Sequence, residues 1–299
     1  MTPVDGAATA TIEQTLRRLE LTVTRKLDGL LHGDHQGLVP GAGTEAGDGR
    51  LYQPGDDVRR IDWNLTARSN AVHVRDTIAE RELETWFAVD CSASLDYGTA
   101  HWEKRDLALA VVAAFGFLAA RGGNRTGAVL VDGDRADVVP PRAGREQVLA
   151  LLARLERRPR SAGGETSMAA ALRRLRLLAR RRGLAVVVSD LLDPSPWPAE
   201  LRALTARAEV VVAHVTDPRE DDIPPVGLLT LVDPETGRRH EVQTASRRFR
   251  RRYAEAAAHR RRTARDRVRS NGAAYLAVAT DRDWMQDVVA FVAARRRRR

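Results

Sequence analysis

Apolar residues follow two different rhythms along this chain. Near the start, Ile12, Leu16, Leu19, Val23, Leu27 and Leu30 recur every three or four residues. That spacing lays one apolar stripe along a helix over residues 11–31. A stretch rich in glycine and polar residues follows to about residue 57 and reads as loops and short strands. A short strand is predicted over 72–74. From residue 84 the pattern changes. Short apolar runs alternate with longer amphipathic ones, predicting strands at 85–90, 126–131, 135–139, 184–190, 209–215 and 273–279. Helices are predicted over 102–121, 146–157, 167–182, 198–206, 246–270 and 284–294. Residues 228–232 and 240–242 have the pattern of a hairpin. Strands alternating with helices predict an α/β fold, with a mostly parallel sheet covered on both faces. The expected division is a small N-terminal helix plus β/loop module over 1–83 and the α/β domain over 84–299.

Composition narrows the class. Hydrophobic residues make up 43% of the 299, enough to build a core of that size. No apolar run approaches the roughly 20 residues needed to span a bilayer, and the first ten residues do not read as a secretion signal. Cys91 is the only cysteine, which rules out an intrachain disulfide and fits a reducing compartment. The expectation is a cytoplasmic protein. Its net charge of +9 comes almost entirely from arginine, because Lys26 and Lys104 are the only lysines. This charge favours acidic partners by long-range attraction.

Candidate chemistry gathers where predicted strands end. Asp90-Cys91-Ser92-Ala93-Ser94 leaves the first strand of the α/β domain, and Asp190 leaves a central one. Thr166 stands in the glycine-rich loop Gly163-Gly164-Glu165-Thr166, just before a helix. In open α/β sheets ligands sit outside the carboxyl ends of the strands. Alternate spacing lets Asp90, Ser92 and Ser94 turn to one side of an extended loop. Two carboxylates and three hydroxyls are hard oxygen donors suited to Mg²⁺ or Mn²⁺. Taken singly, these residues are equally at home as helix caps and turn formers, Thr166 among them.

The order Asp90-x-Ser92-x-Ser94, then Thr166, then Asp190 resembles the metal-ion-dependent adhesion site of von Willebrand factor A domains. The resemblance implies a Rossmann-type fold of that class. It also implies metal ligation by Ser92, Ser94 and Thr166, with Asp90 and Asp190 acting directly or through water. One coordination position would be left for a partner's carboxylate. Upstream, Tyr52-x-Pro54-Gly55-Asp56-Asp57-Val58-Arg59-x-Ile61-Asp62-Trp63, with Thr66-Ala67-Arg68 and Glu80-Arg81, resembles the signature of the domain of unknown function 58 family. This likeness covers about residues 30–295. It departs from the family pattern at Leu95, where methionine is common, and at the inserted Glu165. Family members are commonly encoded beside a MoxR-type AAA+ ATPase, which implies that ATPase or its client as partner in a chaperone-like or complex-maturation role.

Physically, Pro54-Gly55 signals a turn, and Asp56, Asp57, Arg59, Arg60 and Asp62 suit an ion-pair cluster. Trp63 is expected to bury its ring and brace the N-terminal module. Three functions compete: a non-catalytic, metal-dependent protein-interaction module; a Mg²⁺-dependent phosphoester hydrolase; and a nucleic-acid binder using the arginine-rich helix over 246–270. The first is favoured. The second lacks an evident nucleophile and base, and the third lacks a recognised binding motif and has few aromatics.

Overall fold

A computed structural model describes residues 49–53, 58, 61–69, 71–75, 83–180 and 183–296. The apolar stripe over 11–31 and the signature residues Gly55, Asp56, Asp57 and Arg59 lie outside the described residues. The chain separates into two compact units, one of them spanning residues 42–82.

In that smaller unit, β1 (Gly49–Leu51) pairs antiparallel with β2 (His73–Arg75). The backbone N–H of Tyr52 donates to Val72 O at 2.8 Å. Between the strands lies α1 (Trp63–Ser69), a helix that sequence periodicity did not predict. Asp62 explains its start. One carboxylate oxygen accepts from the backbone N–H of Asn64 (3.0 Å) and Leu65 (3.1 Å), the standard service of a helix cap. Thr66 Oγ1 then accepts from the His73 N–H at 3.0 Å, tying α1 to β2. Asp62 thus caps a helix, while Asp56, Asp57, Arg59 and Arg60, the other members of its expected ion-pair cluster, lie outside the described residues. One expectation needs correction here. Trp63, expected to bury its ring, sits in the first turn of α1 and is 70% exposed. Arg68 is exposed in the last turn of the same helix.

The larger unit is built on a six-stranded sheet. Its strands are β3 (Glu84–Asp90), β4 (Arg125–Asp132), β5 (Arg135–Ala143), β6 (Gly183–Ser189), β7 (Glu209–Thr216) and β10 (Ala274–Ala279). Their spatial order is β10-β7-β6-β3-β4-β5, parallel throughout except for the edge strand β5, which returns antiparallel beside β4. The first strand of the domain therefore lies in the middle. The chain builds outward on one side, through β4 and β5, then crosses back to place β6 on the other. That is the doubly wound α/β order, with its switch point between β3 and β6.

Period-two alternation decides which face each side chain serves. Phe87 and Val89 point to one core, with α2 (Lys104–Arg121), α3 (Arg145–Glu156) and α7 (Trp284–Arg296). Trp86 and Ala88 point to the other, with α4 (Met168–Leu178), α5 (Trp197–Thr205) and α6 (Arg247–Ser270). β3 is buried along its whole length, as a central parallel strand must be. α2 is buried almost all round because it crosses the middle of the sheet beneath α3 and α7.

The elements predicted from residue 84 onward all form. Most bounds shift by only a residue or two; β5 runs on to Ala143 and α4 stops at Leu178. A separate hairpin, β8 (Leu228–Val232) with β9 (Arg239–Gln243), stands off the main sheet. Among the described residues, no helix is long and apolar enough to cross a membrane.

Candidate metal centre

Parallel register puts two acidic strand ends side by side at the switch point. Val89 is paired with Val188, so Asp90 and Ser189 are the next neighbours and Asp190 follows. Ser189 donates its hydroxyl proton to Asp90 Oδ2 at 2.7 Å, and the Ser92 N–H donates to Asp90 Oδ1 at 3.0 Å. Both carboxylate oxygens are thus oriented. After Asp190 the backbone turns through Leu191, which holds a left-handed φ of 56°. Such a conformation is costly for a residue with a β-carbon and clusters at functional sites. It lets Leu192 N–H close onto Asp190 Oδ1 at 3.1 Å.

The two serines follow Asp90 into a short 3₁₀ turn, where Ser92 Oγ and Ser94 Oγ lie 3.0 Å apart. The Ser94 hydroxyl also helps to hold the Asp190 carboxyl down. Thr166 is buried on the adjoining loop, and its hydroxyl accepts from the Gly133 N–H at 2.9 Å. It does not cap the following helix. Ser167 does so by accepting from the Ala170 N–H. Asp90, Ser92, Ser94, Thr166 and Asp190 all line one cavity of about 780 Å³.

Three residues complete this arrangement that sequence reasoning did not single out: Lys104, Glu220 and Glu235. Lys104, with its side chain fully buried, places its ammonium 2.8 Å from Asp190 Oδ2 and also bonds Glu220. Burial alone would lower the lysine pKa, but the Asp190 and Glu220 charges outweigh it and hold Lys104 well above its ordinary range. Asp190 is correspondingly held below its ordinary value: burial disfavours the anion, and Lys104 more than offsets that.

Asp90 lacks such a partner. Burial, then repulsion from Asp190, pushes its carboxyl up to about 6 despite the bonds from Ser189 and Ser92. The third residue is Glu235, at the tip of the β8–β9 hairpin. Its Oε1 accepts from the Ser94 N–H at 2.9 Å, while its buried Oε2 makes no hydrogen bond. A signal for Lys104 was visible in the sequence: in a chain that otherwise uses arginine, a lysine marks a place where a compact single ammonium is needed. Nothing local marks Glu235.

The arrangement suits a hard divalent cation. Its donors are hydroxyl and carboxylate oxygens. The buried Asp90 carboxylate and the orphaned Glu235 oxygen leave negative charge that a cation would relieve. Among the described residues, no three His, Cys, Asp or Glu side chains are grouped to hold a metal. The hydroxyls of Ser92, Ser94 and Thr166 are therefore essential to any such site.

Around this core the remaining acids hold the loops. Asp193 accepts from the Met168 N–H at 2.7 Å, bracing the start of α4. Asp217 is buried at the end of β7 and gathers four donors from three segments. Cys91 is buried, and its carbonyl accepts from Arg158 at 2.6 Å.

His214 is also buried, its Nδ1 sharing a 2.7 Å hydrogen bond with the Tyr275 hydroxyl. Burial pushes its pKa down from 6.5 to about 4. Between those values the unfolded chain binds the proton and the folded chain does not. Stability is therefore full above pH 6.5 and falls toward pH 4. The expected loss over that window is about 2–3 kcal/mol. Urea midpoints at pH 7 and pH 4.5 should show it, and His214→Gln should flatten that part of the profile. An unchanged slope in the variant would refute the assignment.

Comparison with known proteins places this geometry in a family. Residues 48–263 match the family described as "Protein of unknown function DUF58". The chain belongs to the DUF58 family. An uncharacterized protein of Mycobacterium tuberculosis is 52% identical over 285 residues, covering 94% of this chain and 89% of that one. Similar solved structures include an aerotolerance-related membrane protein from Bacteroides fragilis, with TM-score 0.47 and 14% identity over 73% of this chain and all of that one. Another is the SpRpn10 VWA domain, with TM-score 0.40 and 10% identity over 69% of this chain and 93% of that one. In this DUF58 protein the strand order, with its antiparallel edge and Asp90 at the end of the central strand, makes the fold von Willebrand factor A-like.

Proposed function

We propose that this DUF58 protein is a metal-dependent protein-interaction module that binds without catalysing a reaction. One observation carries the reading. Five oxygen-bearing side chains from three distant segments line a single cavity at the switch point of the sheet. Ser92, Ser94 and Thr166 would hold Mg²⁺ or Mn²⁺ through their hydroxyls, with Asp90 and Asp190 contributing directly or through water. A vacant coordination position would accept a carboxylate from another protein. Asp90 is oriented by Ser189 and the Ser92 N–H, and the nearby imidazole of His214 is buried against Tyr275. This supports binding over hydrolysis. A MoxR-type AAA+ ATPase, or the client it remodels, is the proposed partner, and the cytoplasm the proposed compartment.

The test is thermal unfolding with and without cation. Saturating Mg²⁺ or Mn²⁺ should stabilise the wild type, by about 2.7 kcal/mol at a hundredfold excess over Kd. Asp90→Ala should abolish that response. Equal responses in both proteins would defeat the proposal. Turnover of a simple phosphoester that is lost in Asp90→Ala would replace it with the hydrolase reading.

A further inference from the structure

The β8–β9 hairpin leaves the main sheet and reaches the serine pair with one residue. Its turn is stiffly made. Asp233 Oδ1 accepts from the Glu235 N–H at 2.9 Å, Asp233 Oδ2 accepts from the Thr236 hydroxyl at 2.7 Å, and Gly237 closes the turn at φ 69°. This wiring presents Glu235 outward at the tip.

The tip is then received by two loops of the candidate metal centre. The Gly164 N–H donates to Glu235 O at 2.9 Å, and the Ser94 N–H donates to Glu235 Oε1 at 2.9 Å. A β-carbon on Gly163, which has φ 85°, would come within 3.0 Å of the carbonyls of Pro234 and Glu235. Glycine there permits the close approach. The result is a carboxylate standing at Ser92 and Ser94, with Oε2 buried and without a hydrogen bond. Leaving such an oxygen unsatisfied is costly, so the position makes physical sense if the oxygen faces a cation.

From this geometry we infer that Glu235 is a built-in substitute for the partner's carboxylate, occupying the open position of the metal centre until an acidic side chain displaces it. The inference rests on the metal-dependent reading above and adds to it a partner chemistry and a regulation. The displacing group is an aspartate or glutamate side chain. Its access is set by a hairpin held to the centre at the tip, by the Gly164 and Ser94 bonds. The cavity beside it carries Leu229 and Leu231 on the β8 wall, so the partner's acidic residue would arrive flanked by apolar neighbours.

The experiment uses Mn²⁺ as both ligand and reporter, with the full chain as wild type, Glu235→Gln, Glu235→Ala and Asp90→Ala. Circular dichroism and thermal unfolding first establish that each variant folds; the tip substitutions fall in an exposed hairpin outside both cores. Binding is read by calorimetry, and water access to the bound ion by proton relaxation. With Glu235 as a ligand, both Glu235 variants bind Mn²⁺ more weakly, by at least about tenfold, a loss that even an outer-sphere partner can cause. The bound ion in the variants relaxes water protons more strongly than in wild type. Added acetate reverses that gain in Glu235→Ala and changes little in wild type. Identical affinity, relaxation and acetate response in wild type and both Glu235 variants, with binding still lost in Asp90→Ala, overturns the role of Glu235 and leaves the metal centre standing. Failure of Mn²⁺ to bind wild type, or binding untouched by Asp90→Ala, overturns the metal reading and this inference with it.

Discussion

Lys104→Met should cost about 3–5 kcal/mol of folding stability, the range for removing one partner of a buried ion pair. The lysine side chain has no exposed surface, and Asp190 beside it is 2% exposed. Solvent therefore cannot take over its role. With the ammonium gone, Asp190 and the largely buried Glu220 face each other without a counter-charge, close to an Asp90 already pushed up by burial and by Asp190. The penalty comes from these uncompensated carboxylates, so it should shrink when they are neutralised. The triple variant Lys104→Met with Asp190→Asn and Glu220→Gln should recover most of the loss. Urea unfolding at pH 7 decides the matter. A loss below about 1 kcal/mol for the single variant, in the range of surface pairs, would show that water or another cation already serves these acids. Lys104→Arg is not expected to rescue, because a fully buried pocket shaped around one ammonium has no room for a planar guanidinium.

Asp217→Ala should be nearly as damaging, at about 3–4 kcal/mol, given that hydrogen bonds to a charged group contribute about 1.5–3 each. One carboxylate receives the Thr99 N–H at 2.8 Å, the Thr99 hydroxyl at 2.5 Å, the Arg219 N–H at 2.9 Å and the Thr280 hydroxyl at 2.6 Å. It pins the loop after the serine turn to the ends of β7 and β10. Asp217→Asn keeps the shape but turns an N–H₂ toward two of those donors, so it should recover little. Burial would raise the Asp217 pKa, but the bonds from Thr280 and Thr99 outweigh it and hold the carboxyl below 3.8. The sign follows: the contribution is complete above pH 3.8 and is lost as pH falls through the lower folded-state value. The gap between wild type and Asp217→Ala should therefore be widest near neutrality and narrow in strong acid. A gap that stays constant with pH would mean that the side chain contributes packing and not charge.

Much of the scaffold could be read from the linear chain because its cause is local. The strand β3 announces itself as a short apolar run bounded by polar residues, and the amphipathic helices by their spacing. Asp90, Ser92, Ser94 and Asp190 could be proposed as neighbours because a doubly wound sheet brings the ends of its central strands together whatever the intervening chain does. Where reading failed, short-range signals were absent or misleading. The helix α1 is only seven residues long and has no buried stripe, so periodicity could not show it. Trp63 was expected inside because large rings usually bury, yet its helix turns it outward.

The order of strands and helices, the two cores and the oxygen-rich character of the strand ends belong to the sequence, because each depends on the spacing of residues a few positions apart. The electrostatic balance of the site belongs to the tertiary structure. Lys104 meets Asp190 across 86 residues, and Ser94 meets Glu235 across 141. Side chains so far apart along the chain become neighbours only when packing closes the loops between them, so which charge is neutralised, and which oxygen stays unpaired, was settled by the fold.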